Sequence, residues 1–225
     1  MSDTAADRVR RKAERLVQLV TPSTSALLIQ EMQQGVVGGE SGLPDLAEAA
    51  ASIALIEKVA AVAEAARAAK VTVVHCTAEN LPGGLGGNRN ARVFMAARKA
   101  GMENAPGTDS VRPVPEVGPE PGDLVLPRYH GLSPMTGSPL DSLLRNDGVT
   151  TLVVVGVSLN VAIPNLVFDA VNRSYQVVVV SDAVVGVPAE YGDQVLAHTL
   201  SLVATLASTD EVVEAWASGE SGIVE

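Results

Sequence analysis

Three features of the chain have residue types and settings that could do chemistry. Glu31 follows the apolar run SALLIQ, Arg128 follows DLVLP, and GVSLNVAIPN (156–165) carries a continuous apolar run into a helix-like segment. A carboxyl group can accept or donate a proton, and a guanidinium grips planar oxyanions. A helix start presents unpaired N–H groups to negative charge. The turn itself offers Ser158, Asn160 and Ala162, so a methyl group stands in a setting where a nucleophile is the usual occupant. His75 and Cys76 close the run VTVVHC, Tyr129 and His130 follow Arg128, and Ser181 and Asp182 follow QVVVV.

These residues have to be positioned by the elements around them. Short apolar runs at 25–32, 71–76, 123–127, 151–157 and 176–184 read as strands, and a short strand is expected before EVVEAW. Ala-rich or amphipathic segments alternate with them: 4–20, 44–70, 91–100, 138–148, 162–173 and 189–206. Such alternation predicts an α/β fold with three α/β/α layers, in which a Rossmann-like parallel sheet of about six strands carries helices on both faces. In open sheets of this kind ligands bind beyond the carboxyl ends of the strands, where Glu31, His75, Arg128, the 158–162 turn and Asp182 are expected. The chain reads as a single domain over 1–225 with an N-terminal helical extension at about 4–20.

Composition narrows the function. Hydrophobic residues make up 47% of the 225 and aromatic residues only 3%, so Val, Ala and Leu do the packing. A formal net charge of −10 argues against nucleic acid as a partner. The one basic cluster, Arg8 to Arg15, alternates with Val9, Ala13, Leu16, Val17 and Val20, as on an amphipathic helix with a solvated basic side. No signal peptide or membrane span is expected, and a cytoplasmic location fits the single cysteine, Cys76, which can form no intrachain disulfide.

Several motifs in order carry a family resemblance. ALLIQEMQQG resembles ALLVIDMQND, the first-strand signature of the isochorismatase-like, or cysteine hydrolase, family. TLVVVGVSLNVAIPNLVFDAVNRSYQVVVVSDAV is similar to its GV-x-TN-x-CV…G-Y-x-V-x-V-x-x-DA stretch, and SPMTGSPLDSLLRNDGV to the segment between. The resemblance runs from about residue 25 to 215. It puts Glu31 on the family's catalytic Asp, Ala162 on its nucleophilic Cys, and Arg128 on its catalytic Lys, with one extra residue between Arg128 and Ser133. What it implies is an amidase scaffold in which a thiolate attacks a carbonyl while backbone N–H groups hold the oxyanion. Ala162 has no atom with which to attack. True isochorismatases also lack the Cys and use the Asp as a proton donor, which makes Glu31 the candidate for a non-covalent acid or base.

The resemblance therefore implies a hydrolase-like protein that binds a small, carboxylate-bearing molecule. Glu31 and Arg128 stand at its centre, and Gln33, His75, Tyr129, His130, Met135, Ser158, Asn160 and Val161 are the binding candidates. Two other readings stay open: an inert Glu31–Arg128 pair in a binding or assembly protein, and an amidase using Cys76. No cofactor is expected. Metal-binding relatives carry an Asp and two His after the second strand, whereas TAENLPGGLGGNRN contains neither type, so no metal is expected either. The family further implies a homodimer or homotetramer, with the N-terminal helix and the Pro-rich 101–122 segment as candidate interface pieces.

Overall fold

A computed structural model describes residues 4–39, 41–99 and 104–219. The β-branched runs form strands β1 (Ser25–Gln30), β2 (Thr72–Ala78), β3 (Leu124–Arg128), β4 (Thr151–Val157), β5 (Gln176–Val185) and β6 (Thr205–Ala207). They build one six-stranded sheet in the order β3-β2-β1-β4-β5-β6. Every neighbouring pair is parallel. The order reverses at β1, which leaves a crevice beyond the ends of β1 and β4. Both strands are buried along their whole length, as strands covered on two faces must be.

The helices are α1 (Ala5–Leu19), α2 (Gln34–Val37), α3 (Pro44–Ser52), α4 (Leu55–Ala68), α5 (Arg92–Lys99), α6 (Pro134–Gly137), α7 (Leu140–Asn146), α8 (Ala162–Asn172), α9 (Ala189–His198) and α10 (Thr209–Gly219). Strand alternation divides the core in two. Leu27, Ile29, Val73 and Val153 pack against Val59 and Val62 of α4 and Trp216 of α10. Leu28, Val74, Leu152 and Val154 pack against Leu140 and Leu144 of α7 and Ile163 and Leu166 of α8. The N-terminal helix is joined to the first of these cores. Thr4 and Asp7 form a capping box at its start, Leu16 and Val20 are buried, and the Trp216 indole N–H donates to Val20 O at 3.0 Å. Val9, expected on its apolar face, is 69% exposed.

Three expectations about the elements need correction. The Ala-rich segment 44–70 is two helices, because Ala54 adopts a left-handed backbone (φ 53°) that no α-helix can contain. The α-helix in segment 189–206 ends at His198; a 3-10 turn at Leu200–Leu202 follows, and the segment's end enters β6. Ser181 and Asp182 do not end β5. The ladder with β4 jumps from Val154–Val179 to Gly156–Val184, so an irregular stretch containing both residues lies inside the strand. Asp182 is turned to the start of α10, where its carboxylate accepts from Thr209 N at 2.7 Å.

Of the expected interface segment 101–122, residues 101–103 lie outside the described residues. Its later part clasps the end of β1 through an isolated bridge between Gln33 and Pro113. Among the described residues no helix is long and apolar enough to cross a membrane.

Candidate active site

The sheet brings Glu31 and Arg128 together across 97 positions of sequence. β1 ends at Gln30, paired with Cys76 of β2 and Gly156 of β4. β3 runs one residue further than its sequence suggests and ends on Arg128, which pairs with Ala78. Arg128 Nη2 donates to Glu31 Oε1 at 2.5 Å, with 9% and 16% of the two side chains exposed. Gln30 Nε2 donates to the same Oε1 at 2.7 Å. Glu31 itself sits at φ 50°, and its N–H is tied to Cys76 O at 3.0 Å. A left-handed backbone at a non-glycine residue costs roughly 1–2 kcal/mol. Such strain persists where the surroundings fix it, and it gathers at functional sites.

Two glycines let backbone crowd this pair. A Cβ on Gly156 would meet Gln30 O at 2.2 Å, and one on Gly137 would meet Arg128 Cβ at 3.0 Å. Only bare backbone fits at either position. Through Gly137, α6 lies on Arg128, and α6 in turn packs on α8. The turn into α8 contains a cis Val157–Ser158 peptide. Ser158 O accepts from Val161 N at 3.3 Å and from Ile163 N at 3.0 Å. Ala162, 7% exposed, is the first residue of the helix, where N–H groups have no intrahelical carbonyl to meet. The N–H groups of Val161 and Ile163 are thus taken up by Ser158 O, on either side of Ala162.

The other candidates divide. Cys76 lies 2% exposed on the α8 face of the sheet. Burial pushes its thiol up to about 12, with Arg128 pulling it down and Glu31 pushing it further up, so its sulfur feels both members of the pair. Tyr129 is half-buried and His130 exposed, on the loop beyond Arg128. Ser158 is half-buried in the turn. Met135 is 3% exposed and belongs to the core.

Three candidates act on the scaffold instead. Asn160 holds Val187 through its N–H and carbonyl, at 2.8 and 2.5 Å, and so pins the loop after β5. Gln33 is fully buried; its amide donates to Ala78 O and Val111 O and accepts from Ala78 N. His75 points to the opposite face of the sheet from Cys76, as alternation requires. There its Nε2 meets Asp123 Oδ2 at 3.0 Å. Arg67 holds the same carboxylate with two nitrogens, Nε at 3.3 Å and Nη2 at 2.7 Å.

Sequence reading also missed a residue. Gln30 was visible as a strand end but was not counted among the binding residues, although it touches Glu31 directly. The signal was present: the family's first-strand signature has an apolar isoleucine at that place, and Gln30 is fully buried. Among the described residues no group of three or more His, Cys, Asp or Glu side chains could hold a metal ion.

A doubly wound parallel sheet with an acid–cation pair beyond the end of β1 and a strand-to-helix turn beside it defines a three-layer α/β/α class. Residues 25–211 match the isochorismatase domain, and the chain belongs to the isochorismatase family. Over 67 residues it is 46% identical to ureidoacrylate amidohydrolase RutB of Methylobacterium radiotolerans, covering 29% of this chain and 25% of that protein. Over 81 residues it is 42% identical to RutB of Methylorubrum extorquens, covering 35% and 32%. The chain thus spans about a quarter to a third of the length of the curated relatives it matches. Its fold is similar to a cysteine hydrolase from Pseudomonas syringae pv. phaseolicola, with a TM-score of 0.77 at 21% identity over 89% of this chain and 96% of that one. It is also similar to N-carbamoylsarcosine amidase from Thermoplasma acidophilum, with a TM-score of 0.66 at 22% identity over 83% and 97%.

Proposed function

We propose that this chain binds a small molecule at the Glu31–Arg128 edge and hydrolyses or isomerises it without a covalent intermediate. In this reading all three of the family's catalytic positions are substituted: Glu31 for the Asp, Arg128 for the Lys and Ala162 for the nucleophilic Cys. Water replaces the thiol as the attacking group in the hydrolytic case. Glu31 takes its proton and passes it to the leaving group, while the Ala162 N–H faces the developing oxyanion. The 2.5 Å contact between Arg128 and a strained Glu31 is the observation that carries the reading. The relatives named as amidohydrolase and amidase favour hydrolysis as the reaction class.

The pair also bears on what is bound. Arg128 is the candidate clamp for a ligand anion, and its charge is matched by Glu31. A carboxylate-bearing ligand would have to share it. The reading that makes Cys76 the nucleophile is disfavoured by burial, which keeps the thiol protonated near neutral pH. A binding-only role draws support from the same ion pair, since breaking a buried pair is destabilising whether or not it catalyses.

Proton NMR of a panel of small amides, carboxylates and vinyl ethers incubated with the protein separates these readings. Glu31→Gln is expected to lower turnover by about 100-fold or more while the fold is retained. Equal product formation by the two proteins would sink the catalytic role of Glu31, and saturable binding without product would favour the binding-only role. Self-association into a dimer or tetramer is proposed alongside, with light scattering as its test.

A further inference from the structure

A second cleft lies apart from the Glu31–Arg128 edge. Its volume is about 260 Å³, and neither Glu31, Arg128 nor Ala162 lines it. Three elements converge there. Lys58 comes from α4, Ser181 and Asp182 from the irregular stretch of β5, and Asp193 from α9. Leu159 and Val184 give it an apolar floor and are 2% and 3% exposed. At Gly192, α9 comes so close that a Cβ would stand 3.2 Å from Leu159 Cδ1. Glycine inside a helix costs about 1 kcal/mol against alanine, and here it keeps the α9 wall of the cleft bare.

The polar groups of this cleft are incompletely matched. Asp182 Oδ1 accepts from Thr209 N and Oγ1, at 2.7 and 3.1 Å. Its Oδ2 lies 3.7 Å from Lys58 Nζ, close enough to attract but too far for a hydrogen bond. Ser181 Oγ donates to Ala207 O at 3.2 Å and keeps its lone pairs. Asp193 is exposed. The polar lining thus carries one cation and two carboxylates. A simple anion would meet Lys58 against two negative charges, and a simple amine would leave the Lys58 ammonium without an acceptor. Among the described residues no group of three or more His, Cys, Asp or Glu side chains could hold a metal ion there.

We propose that this cleft binds a small aliphatic amino acid in its zwitterionic form. The ligand carboxylate accepts from Lys58 Nζ. Its ammonium donates to Asp193 and to Asp182 Oδ2, and its side chain lies on Leu159 and Val184. Both signs of charge are then matched at once, which neither a carboxylate nor an amine alone achieves. Size points the same way: the cleft is smaller than the roughly 300–1,000 Å³ of sites for drug-sized molecules. No aromatic side chain lines it, so an aliphatic ligand fits its floor.

The test is nitrogen–proton NMR of the whole protein, with L-leucine as the probe. Isocaproate, which lacks the ammonium, and isoamylamine, which lacks the carboxylate, are the controls. Leucine is expected to shift the backbone amides of Gly186 and Gly192, which line the cleft, saturably. The two controls should bind at least about tenfold more weakly. Lys58→Met keeps the apolar stem and removes the charge. It should weaken leucine by about tenfold without weakening isoamylamine. Asp193→Asn, at an exposed position, should weaken leucine and isoamylamine without weakening isocaproate, and it serves if the Lys58 variant fails to fold. Isocaproate or isoamylamine binding as tightly as leucine overturns recognition of the zwitterion. Equal leucine binding by wild type and the folded variants, or no saturable shift at Gly186 and Gly192, overturns the site.

Discussion

Two arginine–carboxylate pairs lie on opposite faces of β2, one beside His75 and one beside Cys76, and they are built differently. Arg67 grips Asp123 with both Nε and Nη2, and its Nη2 also reaches Val117 O at 2.7 Å. Asp123 accepts from Glu120 N and His75 as well. Arg128 grips Glu31 with Nη2, and its Nε is buried without a partner among the described residues. Glu31 also stands on a strained, left-handed backbone at φ 50°. The first pair is closed, fork against fork, the geometry that gains most from a guanidinium. The second leaves Arg128 Nε and the neighbouring Gln30 Oε1 unmatched at the carboxyl end of the sheet. A buried ion pair is therefore a poor guide to function taken alone. What separates the two arginines is Nε, which Arg67 sets on its carboxylate and Arg128 leaves unmatched; beside the first pair His75 Nδ1 is unmatched as well.

The largest expected effect comes from breaking the closed pair. Asp123→Ala removes the acceptors for both arms of Arg67 and the partner of buried His75, so urea unfolding should show a loss of about 3 kcal/mol. Glu31→Gln should lose less, about 1.5 kcal/mol, because an amide oxygen can still accept from Arg128. The reverse ranking would make the Glu31 pair the structural one.

The closed pair should also set the acid stability. Burial holds His75 below its usual 6.5, against the pull of Asp123. The unfolded chain then binds the proton first, so stability is complete above about 6.5 and is lost as pH falls through the lower folded value. For Asp123, burial raises the carboxyl, but hydrogen bonds from Arg67, Glu120 N–H and His75 outweigh it and hold it below the usual 3.8. That part is present above 3.8 and is lost as pH falls further. His75→Gln should flatten the upper limb of a stability–pH curve and leave the lower one. An unchanged upper limb would remove His75 as its cause.

The smallest effect concerns Cys76. With its thiol pushed up to about 12 and 2% of the residue exposed, it should react with iodoacetamide at pH 8 only on unfolding. Rapid labelling of the folded protein would reopen the thiol as a nucleophile.

The strands were legible because each is a short apolar run, and Glu31 and Arg128 because both follow such runs. His75 could have been assigned to the other face by counting from Val71 and Val73, which share its side of β2. The break at Ala54 left no trace in a run of alanines, since a left-handed residue there is imposed by packing rather than by its own preference. Asp182 looked like a strand end because the irregular stretch around it depends on pairing with β4, which local sequence does not encode. Asn160 and Gln33 have the types expected of ligand contacts, and only the folded chain shows their amides occupied by backbone.

The most direct measurement follows the two arginine Nε–H resonances, of Arg67 and Arg128, while a panel of small amides and carboxylates is titrated into the protein. Saturable shifts of Arg128 with Arg67 unmoved are the expected result. Movement of Arg67, or an Arg128 signal indifferent to every compound, would contradict the division between a closed structural pair and an open functional one.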